Sequence, residues 1–188
     1  MAKQCQSEQT SRRHAALEQS LLTLLRTCPL QEISVKDICQ MAAIPRRTFY
    51  HYFAGKEELT ESLIHDLLLA CDLAVTPDFS AGQKDLYPRL VAFFRFWREE
   101  HREDLKLLLQ NGLAPQIIRL ALHWVQQEYL RMGNSRQEPP GQAPLVTVAA
   151  VTGFFSLLFY WIQTDCAESA EQMAAHSVHF LTHPLISA

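Results

Sequence analysis

The sequence predicts an all-α fold, and three observations favour it. Apolar residues recur three or four positions apart along nearly the whole chain, which is the spacing of one helix face. Long stretches are rich in Leu, Ala, Glu, Gln and Arg, which are strong helix formers. The 188 residues include only six glycines, too few for a turn-dense sandwich or barrel. With 48% hydrophobic and 20% charged residues, the composition is that of a folded globular chain.

Charge is distributed unevenly along the chain. Residues 1–56 hold eight Lys and Arg against four Asp and Glu, a net charge of +4, so the remainder carries −7 of the total of −3. A basic end joined to an acidic body is typical of a chain in which one part meets a polyanion. The five cysteines form no CxxC pair, and residues 1–10 lack the apolar run of a signal peptide. The expected location is therefore the cytoplasm.

The N-terminal third predicts three helices before residue 53. The first follows a Thr10–Ser11 cap signal and ends before Pro29. The second is about two turns long and begins at Ser34, whose side chain can pair with Asp37 as a capping box. Pro45 opens the third, because its missing N–H would have no partner at a helix start. Two short helices joined by a tight turn predict a helix-turn-helix over residues 33–52.

The third helix has two contrasting faces. Phe49 and Phe53 share one face, while Arg47, Tyr50 and His51 project from the other. Arginine interleaved with an aromatic residue suits a phosphate-lined groove, although a solvated surface is the plainer alternative.

The next predicted helix, about residues 57–75, starts at Lys56, where a cation opposes the helix dipole. An external phosphate would resolve that conflict, unless Glu57 and Glu58 simply neutralise the lysine.

Residues 33–59 resemble the DNA-binding domain of TetR/AcrR-type transcriptional regulators. The most characteristic string is Thr48-Phe49-Tyr50-x-Tyr52-Phe53-x-x-Lys56-x-x-Leu59, and the resemblance covers about residues 10–70. It implies that base edges are read by Lys36, Arg46 and Arg47. It implies that the phosphate backbone is held by Ser34, Thr48, Tyr50, His51, Tyr52 and Lys56. Two positions differ from the family pattern: Ala43 stands where glycine is usual, and Pro45 replaces a Ser-like cap.

The rest of the chain, residues 71–188, predicts a second helical domain, and residues 1–9 predict a flexible tail. Helices are expected over about 86–101, 105–109, 115–132, 145–164 and 168–181, with breaks at 76–82 and 133–144. Ser169 and Gln172 form a cap signal for the last helix. The resemblance implies that this domain binds an effector and forms a dimer.

Residues 139–164 contain no charged side chain, and Leu145 to Ile162 is long enough to be a candidate membrane span. The absence of flanking lysine and arginine clusters favours a helix buried against a second subunit, without membrane contact. The resemblance implies that the last two helices pair with those of a partner copy. The residues predicted at the dimer interface are Ala149, Gly153, Phe154, Ser156, Leu157 and Trp161.

The resemblance also implies a ligand cavity in the second domain. Six aromatic residues could line it, although aromatic residues at helical spacing are more often plain core. They are Phe93, Phe96, Trp97, Trp124, Phe155 and Tyr160. His176, His179 and His183 have a spacing that could hold zinc, but histidine near a helix C-terminus is also favoured by the dipole. No metal and no cofactor are predicted.

The function predicted is that of a ligand-responsive repressor that binds a palindromic DNA operator as a homodimer. No enzyme is expected, because the sequence has no GxSxG, P-loop, HExxH or GxGxxG motif. A helical protein-interaction module without DNA binding is the alternative, and it would bind its partner independently of salt.

Overall fold

A computed structural model of the chain describes residues 2–75, 86–131 and 145–182. Within these ranges all regular structure is helical, which confirms the predicted all-α class. The helices are α1 (Ala2–Leu25), α2 (Val35–Met41), α3 (Arg46–Tyr52), α4 (Lys56–Val75), α5 (Leu86–Arg95), α6 (Arg102–Gln110), α7 (Ala114–Arg131), α8 (Leu145–Gln163) and α9 (Ala170–Thr182), with a π-helical turn at Phe96–Glu100. The chain divides into two compact units, Met1–Asp66 and Leu67–Ala188, so the boundary falls within α4.

The first helix starts earlier than its cap signal predicts. It runs from Ala2 through Thr10 and Ser11 without interruption, so residues 2–9, expected as a tail, are helical. It ends at Leu25, and the amides of Thr27 and Cys28 both donate to the Leu24 carbonyl at 2.9 and 3.1 Å. The chain therefore turns off the helix before Pro29, which cannot continue it.

The N-terminal unit has a small core to which each of its helices contributes. Leu17 and Leu21 of α1, Ile38 of α2, Phe49 of α3 and Leu59 of α4 are all fully buried. The predicted capping box starts α2: the Asp37 amide donates to Ser34 Oγ at 3.2 Å, and the Ser34 amide donates to Asp37 Oδ2 at 3.0 Å. These bonds satisfy amides that a helix start leaves open, and they fix the entry of the chain into the helix-turn-helix.

The turn between α2 and α3 closes on Ala43. The Ala43 amide donates to the Gln40 carbonyl at 3.3 Å, and the Ile44 amide donates to the Cys39 carbonyl at 2.9 Å. This is the Schellman pattern, which needs a left-handed residue, and Ala43 has φ 52°. Ala43 stands where the resembled family usually has glycine, and glycine would adopt this left-handed conformation with less strain than alanine does.

The C-terminal unit has an aromatic core. Phe94 and Trp97 are fully buried, and the Phe94 ring meets the Trp161 ring edge-on at a centroid distance of 5.3 Å. The last helix begins with the predicted cap, because Ser169 and Gln172 exchange backbone-to-side-chain hydrogen bonds of 2.8 and 3.2 Å. The residues predicted as breaks, 76–82 and 133–144, lie outside the described residues.

Among the described residues, no helix is long and apolar enough to cross a membrane. Cys28, Cys39, Cys71 and Cys166 are free thiols. Burial raises the pKa of the Cys71 thiol to about 12. No group of three metal-ligating side chains lies together in the described part of the chain; His183 falls outside it.

Candidate nucleic-acid interface

The helix α3 is held by one face and presents the other. Phe49 is 0% exposed, and its ring lies 5.6 Å from that of Phe53, which is also buried. On the opposite side Arg47 and His51 are exposed, and Tyr50 is 51% exposed. The two faces predicted for this helix are therefore the two that form. An aromatic side chain left half in solvent beside two basic ones is available to a partner.

Arg46 and Tyr50 pack together on the outer surface of α3. The guanidinium carbon of Arg46 lies 5.9 Å from the centre of the Tyr50 ring, and Nη2 lies 3.5 Å from the Tyr50 hydroxyl. This stacking limits the directions in which both side chains can point. Arg47, one position further along, lines a cleft together with Tyr50 and residues of α1.

An open cleft of about 700 Å³ lies between α1 and α3. Its α3 wall contains Arg47, Thr48, Tyr50, His51 and Tyr52, all of them predicted as DNA-binding residues. The structure therefore brings five of the nine predicted residues to one concave surface.

The other wall of the cleft comes from α1 and was not predicted. Gln9, Thr10 and Arg13 line it, and Arg13 lies about one helical turn beyond the adjacent pair Gln9 and Thr10. The i, i+4 spacing of the polar residues Gln9 and Arg13 is a sequence signal for this wall. It was missed because the Thr10–Ser11 cap signal predicted that the helix starts there, which left Gln9 in the expected tail.

Tyr52 joins the two walls. Its hydroxyl accepts hydrogen bonds from the side chains of Arg13 and Thr10, and these bonds, that from Arg13 first, lower the pKa of the phenol. Its ring lies 4.8 Å from that of His14. Contacts on both its ring and its hydroxyl therefore hold Tyr52 in one orientation at the base of the cleft.

Lys56 does not face the cleft. Its ammonium donates to the carbonyls of Leu30, Gln31 and Ile33 at 2.7, 3.1 and 2.8 Å. Three donors thus meet three acceptors of the α1–α2 loop, and these carbonyls offset the unfavourable position of a cation at a helix start. A phosphate could reach this ammonium only by displacing a carbonyl.

The remaining predicted contacts lie around α2. Lys36 and Ser34 are exposed, and Ser34 is engaged in the capping box. Hydrogen bonds from the Ser34 hydroxyl, which has the larger effect, and from the Ser34 amide hold the pKa of Asp37 below its usual range.

The six aromatic residues predicted to line a ligand cavity differ in how deeply they are buried. Phe96, Trp97 and Phe155 are buried in the core, and Phe93 and Trp124 are half-buried. Tyr160 points outward and is 67% exposed. The Phe93 ring packs against four aromatic neighbours, with ring centroids 4.7 to 6.3 Å away.

A different groove of about 680 Å³ runs along α7 and α8. Its floor is apolar and includes Ile118, Leu122 and Phe159, and His123 and Gln126 stand beside it. None of the six predicted residues lines it.

Some residues predicted at a dimer interface are exposed on α8, and others are buried within the C-terminal unit. Ala149 and Ser156 are exposed on α8, and Gly153 lies near the Phe180 ring of α9. Trp161 is buried, and its indole N–H donates to the Glu168 carbonyl at 3.1 Å. The sequence spacing could not separate these sets, because α8 is apolar around its whole circumference.

Comparison with known proteins identifies the N-terminal unit. Residues 23–63 match the family described as bacterial regulatory proteins, tetR family. The uncharacterized HTH-type transcriptional regulator YxbF of Bacillus subtilis (strain 168) is 22% identical over 168 residues, which cover 85% of this chain and 42% of that protein. The HTH-type transcriptional regulator EthR of Mycolicibacterium smegmatis (strain ATCC 700084 / mc(2)155) is 43% identical over 60 residues, 32% of this chain and 28% of that one.

The chain thus spans less than half the length of each of these two relatives. The fold is also that of a TetR transcriptional regulator from Streptococcus agalactiae 2603V, with a TM-score of 0.65, 17% identity, and coverage of 96% of this chain and 99% of that one. The matched segment, 23–63, contains the α2–α3 turn, the outer face of α3 and Lys56. Residues 23–63 therefore match the tetR family of bacterial regulatory proteins, and the chain as a whole is similar to an HTH-type transcriptional regulator and has the fold of a TetR transcriptional regulator.

Proposed function

We propose that this protein is a sequence-specific DNA-binding transcriptional regulator. The observation that carries the proposal is α3, a two-turn helix fixed by buried Phe49 that presents Arg47, Tyr50 and His51 beside an open cleft. A helix of this kind fits the DNA major groove, where arginine can pair with a guanine edge. Such a regulator acts on chromosomal DNA, so the cytoplasm is the expected compartment.

DNA binding is tested by titrating the purified protein against sheared genomic DNA of its source organism over a series of salt concentrations. We expect the logarithm of the binding constant to fall linearly with the logarithm of the salt concentration, because bound cations release counterions from the phosphates. Absence of binding at low salt would contradict the proposal and favour a protein-interaction module.

The residues of α3 should fall into two classes. Tyr50→Ala should weaken binding to all sequences alike, because a phenol contacting the backbone reads no base. Arg47→Ala should also relax the preference at one base pair, by about 1–3 kcal/mol. Binding to a panel of single-base variants of the preferred site measures both, and equal losses on every sequence for both variants would contradict this division.

The operator is expected to be palindromic and the protein a homodimer. One two-turn helix reads few bases, whereas two copies about 34 Å apart read successive major grooves. The outer faces of α8 and α9 are suited to pairing, because Tyr160, Leu145 and Phe180 leave large apolar surface exposed there.

Two equally exposed residues test the dimer. Tyr160 on α8 is 67% exposed and Leu73 on α4 is 66% exposed. We expect Tyr160→Arg to shift the sedimentation of the protein to that of a monomer, while Leu73→Arg leaves a dimer. A wild type that sediments as a monomer at all concentrations would exclude the α8–α9 pairing.

We further propose that the protein is a repressor released from DNA by a small molecule. The α7–α8 groove is the candidate site, since its apolar floor and polar edge are typical of ligand sites. A compound that releases the wild type from DNA, but not a Leu122→Arg variant, would support this site.

A further inference from the structure

The α1–α3 cleft contains more positive and hydrogen-bonding groups than α3 alone supplies. Arg13 lines it from α1, and Arg47 and His51 line it from α3, with the Thr48 side chain beside them. None of the described residues that line the cleft is acidic. Two arginines that share one concave space repel each other unless an anion lies between them.

Arg13 is held toward this space by Tyr52. The phenol hydroxyl accepts a hydrogen bond from the Arg13 side chain, and contacts with His14 fix the ring that bears it. A guanidinium has five N–H donors in a planar fork, and one phenol oxygen cannot use them all. The arrangement therefore orients Arg13 and leaves it the donor capacity to bind an oxyanion.

We propose that the α1–α3 cleft binds a phosphate of the DNA backbone and that Arg13 is its principal α1 ligand. The inference rests on the proposed DNA-binding function and extends it to a helix outside the helix-turn-helix. A phosphodiester suits the cleft because it has one negative charge and two oxygens that accept a bidentate guanidinium. This contact sets the depth and direction at which α3 enters the groove, and it reads no base.

The test compares Arg13→Ala with Arg12→Ala. Arg12 is the neighbouring exposed cation on α1 and does not line the cleft, so its removal changes the net charge equally. Each variant is titrated against a fluorescein-labelled random-sequence DNA duplex over a series of KCl concentrations. The slope of the logarithm of the binding constant against the logarithm of salt should fall by about 0.9 per bound protomer for Arg13→Ala. For Arg12→Ala the slope should stay close to that of the wild type.

Two further variants separate the contact from a loss of structure. Arg13→Lys keeps the charge, so it should restore the slope while recovering only part of the affinity. Tyr52→Phe keeps the ring packing and removes the hydroxyl, so it should weaken binding less than Arg13→Ala does. Thermal unfolding of each variant identifies any that fail to fold. If Arg13→Ala does not fold, the titration of Tyr52→Phe tests the phosphate site in its place.

Equal slopes for Arg13→Ala and Arg12→Ala would overturn the phosphate site while leaving the proposed function intact. Where Arg13→Ala does not fold, an unchanged affinity of Tyr52→Phe would overturn it in the same way. Failure of the wild type to bind the duplex at low salt would instead remove the proposed function itself. The two failures are therefore distinguishable.

Discussion

The two units of this protein use aromatic side chains in opposite ways. In the N-terminal unit a small core holds Phe49, while Tyr50, the next residue, remains half exposed beside a basic cleft. In the C-terminal unit Phe94, Phe96 and Trp97 are consecutive or nearly so, and all are buried. An aromatic residue is therefore a functional candidate where its side chain stays exposed on the helix. Where aromatic residues follow one another closely, their side chains pack against each other and form the core.

The strongest test of this contrast is Trp97→Ala. Trp97 is 1% exposed, so truncation should lower the free energy of unfolding by about 3–5 kcal/mol. Tyr50→Ala, at an exposed position, should lower it by less than about 0.5 kcal/mol. Urea unfolding followed by far-UV circular dichroism measures both. A loss below about 1 kcal/mol for Trp97→Ala would mean that this residue borders open space, as a cavity-lining role requires.

Lys56 and Lys36 provide the next comparison, within the N-terminal unit. Lys56→Met leaves three loop carbonyls without their donor and should cost about 2–3 kcal/mol of unfolding free energy. Lys36→Met, at an exposed site, should cost less than about 0.5 kcal/mol. Urea unfolding of the two variants measures both values, and equal costs would contradict the role given to the loop carbonyls.

The two substitutions should rank in the opposite order when the salt dependence of DNA binding is measured instead of the unfolding free energy. Lys56→Met should leave the slope of the binding constant against salt unchanged, because its ammonium is occupied by carbonyls, whereas Lys36→Met should reduce it. A reduced slope for Lys56→Met in folded protein would restore the phosphate contact that the family resemblance implies.

One Schellman turn from each unit can be compared by matched substitutions. The turn after α6 has the same pattern as the one at Ala43, because the Leu113 amide donates to the Leu108 carbonyl at 3.1 Å and the Gly112 amide to the Leu109 carbonyl at 3.0 Å. Ala43 follows α2 with φ 52°, and Gly112 follows α6 with φ 74°. Ala43→Gly should stabilise the protein by about 0.5–1 kcal/mol, and Gly112→Ala should destabilise it by about 1 kcal/mol. A Cβ at Gly112 would meet no atom within 4 Å, so the cost there is that of the backbone alone. Thermal unfolding checks both; the same sign for the two changes would refute the argument.

The smallest expected effect concerns Glu18, a carboxyl that is 7% exposed in the N-terminal unit. Burial raises its pKa above the ordinary value, and a hydrogen bond from Ser62 Oγ at 2.8 Å only partly opposes this; Asp66 raises it and His65 lowers it. In the window between the ordinary and the raised pKa the folded state binds more protons than the unfolded state, so this group favours folding increasingly as the pH falls.

Glu18→Gln should therefore stabilise the protein slightly at neutral pH, and the difference should disappear in acid. Melting temperatures of both proteins over a pH series measure it. If the substitution were destabilising at neutral pH, the Ser62 hydrogen bond to the carboxylate would outweigh the burial cost.

Sequence reasoning succeeded where the determinants are local. The Ser34–Asp37 box, the Ala43 turn and the two faces of α3 each depend on residues within a few positions of one another. Lys56 could not be placed in this way, because its acceptors lie 23–26 positions earlier in the chain. Which turn of α1 would face α3, and hence the position of Arg13, depends equally on tertiary packing.

In the C-terminal unit the sequence predicts the helices, whereas the residues that line a cavity remain a prediction. The bounds of α7, α8 and α9 follow apolar spacing and caps that the sequence displays. Whether Phe93 or Trp97 borders space or fills it depends on the volumes of side chains from other helices, and helical spacing carries no information on those. The α7–α8 groove was missed for the same reason, since its floor consists of ordinary aliphatic residues and Phe159.

The central claim is that α3 reads DNA with its outer face, and the most direct test is selection from the source genome. Sheared genomic DNA is incubated with the wild type or with Arg47→Ala, and the bound fragments are sequenced. We expect the wild type to enrich a palindrome whose half-sites lie about one helical turn apart, and Arg47→Ala to lose the preference at one position of each half-site. The same fragments recovered at the same enrichment with both proteins, or none enriched with either, would contradict the claim.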